Sequence, residues 1–515
     1  MHALILILLT AATGMGLPVP IPADSPVSAL APARADALAD LRDDINRVIR
    51  QAGWRNDIWG VMVVSLTNGD TLFALEPDTP LAPASNMKLF TTAAALYYLG
   101  PRFRYNTFLL ADGPVVEGTL QGDLVLYGTG DPTFSDRFGR GASIFEAFAD
   151  TLLAHGIHEV SGDIVGDASY FRGAGTGLGW QENYIDASYA APASALSFAE
   201  NIATVRIEPA DRAGWRPEIR LIPGGEGIAI VNQATTVQRG STSLRAARST
   251  YGGPLTVTGR ISSRSRGVVR SVPVSDPPRY AAAVLREILV KRGIIVAGGV
   301  RAVHSETESP VTGRSVFAPA FDRRQPLRVL AIHESPPLLE VLSVINKRSH
   351  NLYAEQALRT VGRVATGEGS AAGGGHALLH FIQREAGIDT TAMRVLDGSG
   401  LSPLNRVTAR SLIRLLSYMS ESTMADDYLA TLPEVGAIDG LQRMQRSAAQ
   451  GNLRAKTGTL ANVSALSGYV RAENGEQLAF AILANNVPST WRAKRVEDAI
   501  GTRLARFTRD DPGQQ

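Results

Sequence analysis

The sequence predicts an α+β multidomain protein: an antiparallel sheet flanked by helices, built from both ends of the chain, with two smaller, largely β domains inserted between them. Three observations carry this. Near the N-terminus, period-two patterning over Trp59 to Leu66 and Thr71 to Leu75 brackets Asn68-Gly69, a strong hairpin signal. Near the C-terminus the same device recurs, with Val463 to Val470 and Gln477 to Leu483 flanking Asn474-Gly475. Each hairpin also has a helix beside it. Leu38, Leu41, Ile45, Val48 and Ile49 share one face over residues 36–52, and a second helix covers residues 491–507. One sheet that takes both hairpins is the simplest assembly, and it makes the middle of the chain an insertion.

At 515 residues the chain exceeds one ordinary core, and the middle differs in texture from the ends. Residues 108–335 are rich in Gly, Pro and short β-type runs such as Gly122-Asp123-Leu124-Val125-Leu126-Tyr127, with one clear helix at 279–292. The expected organisation is a signal peptide over 1–35, a catalytic unit from 36–107 and 336–510, a first insert from 108–189 and 321–335, and a second from 190–320. The apolar run 3–17 is short and glycine-broken for a membrane span, and reads as a signal-peptide core, which predicts export to the periplasm or cell envelope. A net charge of +2 with no polybasic run gives no reason to expect nucleic acid, and the absence of cysteine excludes disulfides and thiol chemistry.

Lysine usage singles out the chemistry. Of 51 basic residues only five are lysines, so each remaining lysine is a candidate for work that arginine cannot do. Arg stays protonated, whereas a buried Lys can surrender its proton and act as a base. Ser85-Asn86-Met87-Lys88 places a serine three residues before a lysine, on one face of a helix that continues as Leu89 to Leu96. Ser85 then sits at a helix N-terminus, where backbone N–H groups favour a developing negative charge. A second lysine lies in Lys456-Thr457-Gly458-Thr459, before a strand pattern; Gly458 lets a ligand backbone lie against that strand. Between them come Ser349-His350-Asn351, opening a helix, and the tight turn Asp397-Gly398-Ser399-Gly400-Leu401-Ser402.

The ordered set Ser-x-x-Lys, Ser-x-Asn and Lys-Thr-Gly resembles the penicillin-recognising serine enzymes. Ser349-His350-Asn351-Leu352-Tyr353-Ala354-Glu355-Gln356, the 397–402 turn and Gly128-Thr129-Gly130-Asp131-Pro132 are similar to those of the class C low-molecular-mass penicillin-binding proteins, the D-alanyl-D-alanine carboxypeptidases/endopeptidases. These carry a long insertion between the first two motifs, and here 263 positions separate Ser85 from Ser349. The resemblance implies a β-lactamase/DD-peptidase-like catalytic domain, peptidoglycan stem peptides and β-lactams as partners, and no cofactor. It implies that Ser85 attacks the penultimate D-alanine carbonyl and that Lys88 takes its proton. Ser349 relays the proton to the leaving nitrogen, Asn351 holds a substrate amide, and Lys456 and Thr457 receive the terminal carboxylate. The N–H groups of Ser85 and Thr459 form the oxyanion hole. Keeping Lys88 neutral costs about 4 to 5 kcal/mol from a reference pKa near 10.4, so burial and Lys456 are expected to lower it.

One feature departs from the family. Pro403 stands where an arginine commonly follows the turn, with Arg406 three positions on as its substitute. Asp167 is the best match to the acidic residue that meets a diaminopimelate amine. His376 and His380 are four apart on a helical pattern, but no Glu follows the first His as a zinc helix requires, and His155 and His158 end a helix, where capping is the commoner role, so no metal is expected. The glycine runs match no phosphate loop. The competing readings are a β-lactamase or esterase on the same scaffold, for which no deacylating Glu is legible, and a non-catalytic peptidoglycan-binding envelope protein, against which intact Ser85, Lys88 and Lys456 speak.

Overall fold

A computed structural model describes residues 30–224, 228–312 and 327–509; the apolar run 3–17 lies outside the described residues. Strands β1 (Ile58–Ser65) and β2 (Thr71–Leu75) form the N-terminal hairpin, and β3 (Arg454–Leu460), β4 (Val463–Arg471) and β5 (Gln477–Asn485) come from the other end. Together they make one five-stranded antiparallel sheet in the order β3-β4-β5-β1-β2. The two halves join along β1 and β5, from Ile58 opposite Asn485 to Ser65 opposite Leu478. Among the described residues, no strand of 108–335 enters this sheet.

Both faces of the sheet are covered, which is why β5 reads as a continuous apolar run rather than an alternation. Successive side chains point to opposite faces. Leu478, Phe480 and Ile482 pack with Leu41, Ile45, Val496 and Ile500 on one side. Ala479, Ala481 and Leu483 face a helical core containing Phe90, Leu342, Tyr353 and Leu412 on the other. Helix α1 (Leu30–Gln51) lies on the first face. The second is built by α2 (Met87–Leu99), α3 (Leu338–Lys347), α4 (Asn351–Thr366), α5 (Ala371–Arg384) and α6 (Ala409–Glu421), and α7 (Thr490–Ala505) returns to the first. Helix α6 starts where Thr408 accepts a hydrogen bond from Ser411 N at 3.0 Å, a cap worth about 1 kcal/mol. Helix α1 begins at Leu30, inside the segment 1–35 assigned above to a signal peptide.

The insertion is built around a second five-stranded sheet, in the order Val300–Val303, Ile164–Asp167, Asp123–Gly128, Asn106–Asp112, Arg328–Glu334. The first two pairings are parallel and the last two antiparallel. Phe145, Phe148, Tyr280 and Leu285, from helices Ser143–Ala154 and Pro277–Lys291, fill its core with Leu109, Leu124 and Ile164. Two small sheets centre on Ile202–Glu208 and Leu255–Ser262. Helix Pro277–Lys291 and strand Val300–Val303 fall within the expected 190–320 unit, yet they complete the sheet of the 108–189 unit. Parallel neighbours need a crossover, and Pro277–Lys291 supplies it after the small sheets have been traversed. Composition marks where strands lie, and it carries no record of which ones become neighbours.

Candidate active site

The residues Ala84–Asn86 form a single tight turn that runs directly into α2, so Ser85 and Lys88 are stacked one helical turn apart. Ala84 takes a left-handed φ of 46° to make this entry. Two glycines allow the turn to be gripped from both sides. A Cβ on Gly400 would lie 1.8 Å from Ala84 O, and one on Gly458 would lie 2.8 Å from Pro83 O and 3.0 Å from Ser85 N. The 397–402 turn and strand β3 therefore reach the nucleophile only because they lack side chains at these points. Asn86 fixes the same approach by donating from Nδ2 to Lys456 O at 3.0 Å.

Lys88 is fully buried, and its Nζ donates to Ser85 Oγ at 3.0 Å, Asn351 Oδ1 at 2.7 Å and Ser399 O at 2.6 Å. Three acceptors match the three protons of an ammonium. When one proton leaves, Asn351 and Ser399 can retain the other two, and the lone pair is left facing Ser85. Burial lowers the pKa of Lys88 to about 7, against the pull of the Asp397 and Glu355 carboxylates, which raise it. Most of the roughly 4 to 5 kcal/mol needed to hold a neutral amine at pH 7 is thus supplied by desolvation. Lys456 is likewise held well below the ordinary lysine range, first by burial and then by the charge of Lys88, and because that repulsion is mutual each amine disfavours charge on the other.

Ser349 lies in the connection between α3 and α4, in a left-handed backbone conformation with φ of 55°. A serine gains nothing from that geometry by itself, and such strain persists where the surroundings fix a side chain for use. Its Oγ accepts from Lys456 Nζ at 2.9 Å, and Lys456 also donates to Thr457 O at 2.8 Å. Asn351 opens α4, with its Nδ2 donating to Tyr189 O at 2.8 Å. The intervening His350 lies 3.1 Å from Glu200 Oε2, and Tyr353 donates to Glu200 Oε1 at 3.0 Å. Residues 189–200 of the insertion thus clamp the Ser-x-Asn loop from outside. Next on the helix, Glu355 accepts from Ser399 N at 2.8 Å, and Gln356 donates to Ser194 O and Ser197 Oγ.

Strand β3 is the edge of its sheet. Ala455 N donates outward to Pro433 O at 3.1 Å, so the period of the strand sends the N–H groups of Thr457 and Thr459 off the same edge, where an extended peptide can pair. Lys456 and Gly458 share the face turned to Ser349 and Ser85. Ser85, Lys88, Ser349, Asn351, Lys456, Thr457, Gly458 and Thr459 are accordingly brought to one place. Asp167 and Arg406 are not. Asp167 is fully buried, accepting from Ser169 N and Ser309 Oγ, so the expectation that it meets a substrate amine finds no exposed carboxylate. Arg406 donates from Nη1 to the carbonyls of Pro403 and Asn405, and no hydrogen bond joins it to the side chains of the Ser85–Lys88 cluster.

Sequence reasoning passed over the carbonyls of Ser399 and Tyr189, which no residue type announces, and over the carboxylate of Glu355. It also passed over Trp180, whose Nε1 donates to Asp397 Oδ2 at 2.9 Å. Asp397 accepts three more hydrogen bonds, from Gly400 N, Ser402 N and Asn405 Nδ2, and is the organiser of the turn.

The profile of the D-Ala-D-Ala carboxypeptidase 3 (S13) family matches residues 41–507. The chain belongs to that family. It is a serine-type D-Ala-D-Ala carboxypeptidase with the α+β fold expected above, an antiparallel sheet flanked by helices. A D-alanyl-D-alanine carboxypeptidase of Actinomadura sp. (strain R39) is 33% identical over 508 residues, covering 95% of this chain and 89% of the relative. The D-alanyl-D-alanine carboxypeptidase DacB of Haemophilus influenzae is 26% identical, covering 83% and 85%. The crystal structure of penicillin binding protein 4 from the same organism superposes with a TM-score of 0.74 at 24% identity, over 91% of this chain and 99% of that one.

Proposed function

We propose that this carboxypeptidase cleaves the terminal D-Ala-D-Ala bond of peptidoglycan stem peptides, and D-Ala cross-links in the same manner, through an acyl-enzyme on Ser85. The triple engagement of the buried Lys88 amine carries this reading. Ser85 Oγ adds to the penultimate D-alanine carbonyl while its proton passes to Lys88 Nζ. The N–H groups of Ser85 and Thr459 receive the oxyanion, a contribution of about 3 to 4 kcal/mol per donor. The C–N bond then breaks, and Ser349 delivers its hydroxyl proton to the departing D-alanine nitrogen while taking in its place the proton that Lys88 received from Ser85, which restores both the hydroxyl and the free amine. Lys456 donates to Ser349 Oγ, so that hydroxyl keeps its own proton for this transfer. Asn351 aligns Lys88 and borders the substrate amide, while Lys456 and Thr457 receive the terminal carboxylate. Water hydrolyses the ester by the reverse proton path.

A β-lactam, whose amide mimics the scissile bond, acylates Ser85 by the same steps and stays, because its leaving nitrogen remains tethered to the acyl group in the site, and among the described residues no Glu side chain bonds Ser85 or Lys88 to activate a water there. The work takes place in the cell envelope, after export; among the described residues no helix is long and apolar enough to cross a membrane. The catalytic unit is 36–107 with 336–510, and the segment Pro277–Val303 is best counted with the first insert. Intact-mass spectrometry after exposure to penicillin tests the reading: a lasting adduct on Ser85 is expected. Rapid release of the adduct would make the enzyme a β-lactamase, and no adduct would remove the acyl-enzyme mechanism.

A further inference from the structure

Beneath Lys88 lies a carboxylate that the steps above do not use. Glu355 is fully buried one turn into α4 beyond Asn351. Its Oε1 accepts from Ser399 N at 2.8 Å, and its Oε2 has no hydrogen-bond partner. A buried carboxylate oxygen without a partner carries a cost of several kcal/mol if ionised, so its retention calls for a reason. The charged groups that face it are Asp397 from the 397–402 turn, Arg359 one turn further along its own helix, and Lys88 from α2, with the Ser399 hydroxyl and the Gly398 N–H of the same turn also directed at its carboxylate. The peptide that Glu355 grips through its N–H at residue 399 lies in the turn whose Ser399 carbonyl takes a Lys88 proton at 2.6 Å. Glu355 thus touches neither substrate nor Ser85, yet it acts on the base twice: through the Ser399 backbone, and through its charge.

We propose that Glu355 is a positioning residue for the general base, holding the Ser399 carbonyl on Lys88 so that the amine lone pair faces Ser85, and setting by its own charge how readily Lys88 releases a proton. The charge acts in a definite direction. An anionic Glu355 favours the ammonium, and a neutral one favours the free amine. Desolvation first and then Asp397 push the Glu355 pKa up to about 7, so its charge changes near neutrality, and that charge bears on Lys88. Asp397 is held in the turn by four hydrogen bonds on its carboxylate.

The inference rests on Lys88 being the base, and two variants separate it from a structural role. Glu355→Gln keeps an acceptor for Ser399 N and removes the charge; Glu355→Asp keeps the charge and withdraws the acceptor. The measurement is the rate of acylation by a fluorescent penicillin across pH, with melting temperature as the folding control. For Glu355→Gln the acid limb should move down by about one pH unit, with less than about a tenfold loss at the plateau. For Glu355→Asp the limb should stay and the plateau fall by about 10- to 100-fold. An unmoved limb in a folded Gln variant overturns the electrostatic role, and a wild-type plateau in the Asp variant overturns the positioning role. Should the Gln variant not fold, the Asp variant decides alone. Wild-type protein that penicillin does not acylate would instead take down the reading of Ser85 and Lys88 on which this depends.

Discussion

Replacing Gly458 by alanine would place a methyl carbon 2.8 Å from Pro83 O, 3.0 Å from Ser85 N and 3.1 Å from Ala84 Cβ. Two of these neighbours are backbone atoms of the nucleophile turn, so no side chain can swing away to make room. An ordinary contact requires strand β3 to retreat by roughly half an ångström. That retreat separates the Thr459 N–H from the Ser85 N–H, and the oxyanion hole loses its spacing. Misplacement of about 1 Å can cost 10²-fold, and loss of one oxyanion donor about 10² to 10³, so acylation by penicillin should fall by about 10- to 100-fold. Overpacking should cost about 1 to 3 kcal/mol of stability. Gly69→Ala serves as the control: at φ of 81° it strains the hairpin turn, yet a Cβ there meets nothing within 4 Å. It should lower the melting temperature and leave acylation unchanged. If Gly458→Ala acylated within about threefold of wild type, the close approach of β3 would not be what shapes the oxyanion hole.

Other outcomes follow from the same geometry. Lys88→Arg should be nearly as inactive toward penicillin as Ser85→Ala, since Arg cannot become neutral; acylation above about a tenth of wild type would show that Lys88 is not the base. With the Lys88 pKa lowered to about 7, the active free amine is lost as pH falls, so acylation should level off above pH 7 and decline about tenfold per unit well below it, read from stopped-flow labelling. Ser349→Ala should slow release of D-alanine from an acyl-D-Ala-D-Ala peptide by about 10²-fold or more; an unchanged rate excludes the relay. Lys456→Ala should depress hydrolysis of that peptide far more than of its C-terminally amidated analogue, and equal losses in this double-mutant cycle would place Lys456 on the chemistry instead of the carboxylate.

The hairpins at both ends were legible because Asn-Gly turns fix strand pairs locally: Gly69 and Gly475 take φ of 81° and 86°, and β1, β2, β4 and β5 lie within two residues of their expected bounds. The pairing of Val300–Val303 with Ile164–Asp167 was not, because a parallel neighbour across more than a hundred residues leaves no local trace. In the site, Ser85, Lys88, Ser349, Asn351 and Lys456 stand out by side-chain type and order. The acceptors that aim Lys88 are partly main-chain carbonyls, and a carbonyl of residue 399 is invisible to any reading by residue type. Asp167 misled because resemblance alone assigns it, and a local match does not say whether a carboxylate is exposed; here it is buried and accepts from Ser309 Oγ. Glu355 sat in the motif that carried the resemblance, but its distance from Lys88 depends on how α4 meets the 397–402 turn, which sequence spacing does not encode.

The way β1 is seated has a consequence for how the enzyme comes into being. Val63 finds its partner in Phe480, and Asn86 in the main chain of Lys456, 370 positions later. At synthesis rates of about 5 to 20 residues per second, the Ser85 segment is made roughly 20 to 70 s before β3 exists. In that interval the inserted sheet, whose strands lie between, has everything it needs to fold, whereas the nucleophile has no strand beside it and no second lysine near it. Loop closure over such a length is slow as well as late. Reactivity is therefore the last property this chain acquires, and a product truncated before residue 454 carries an intact Ser85 that should not become acylated.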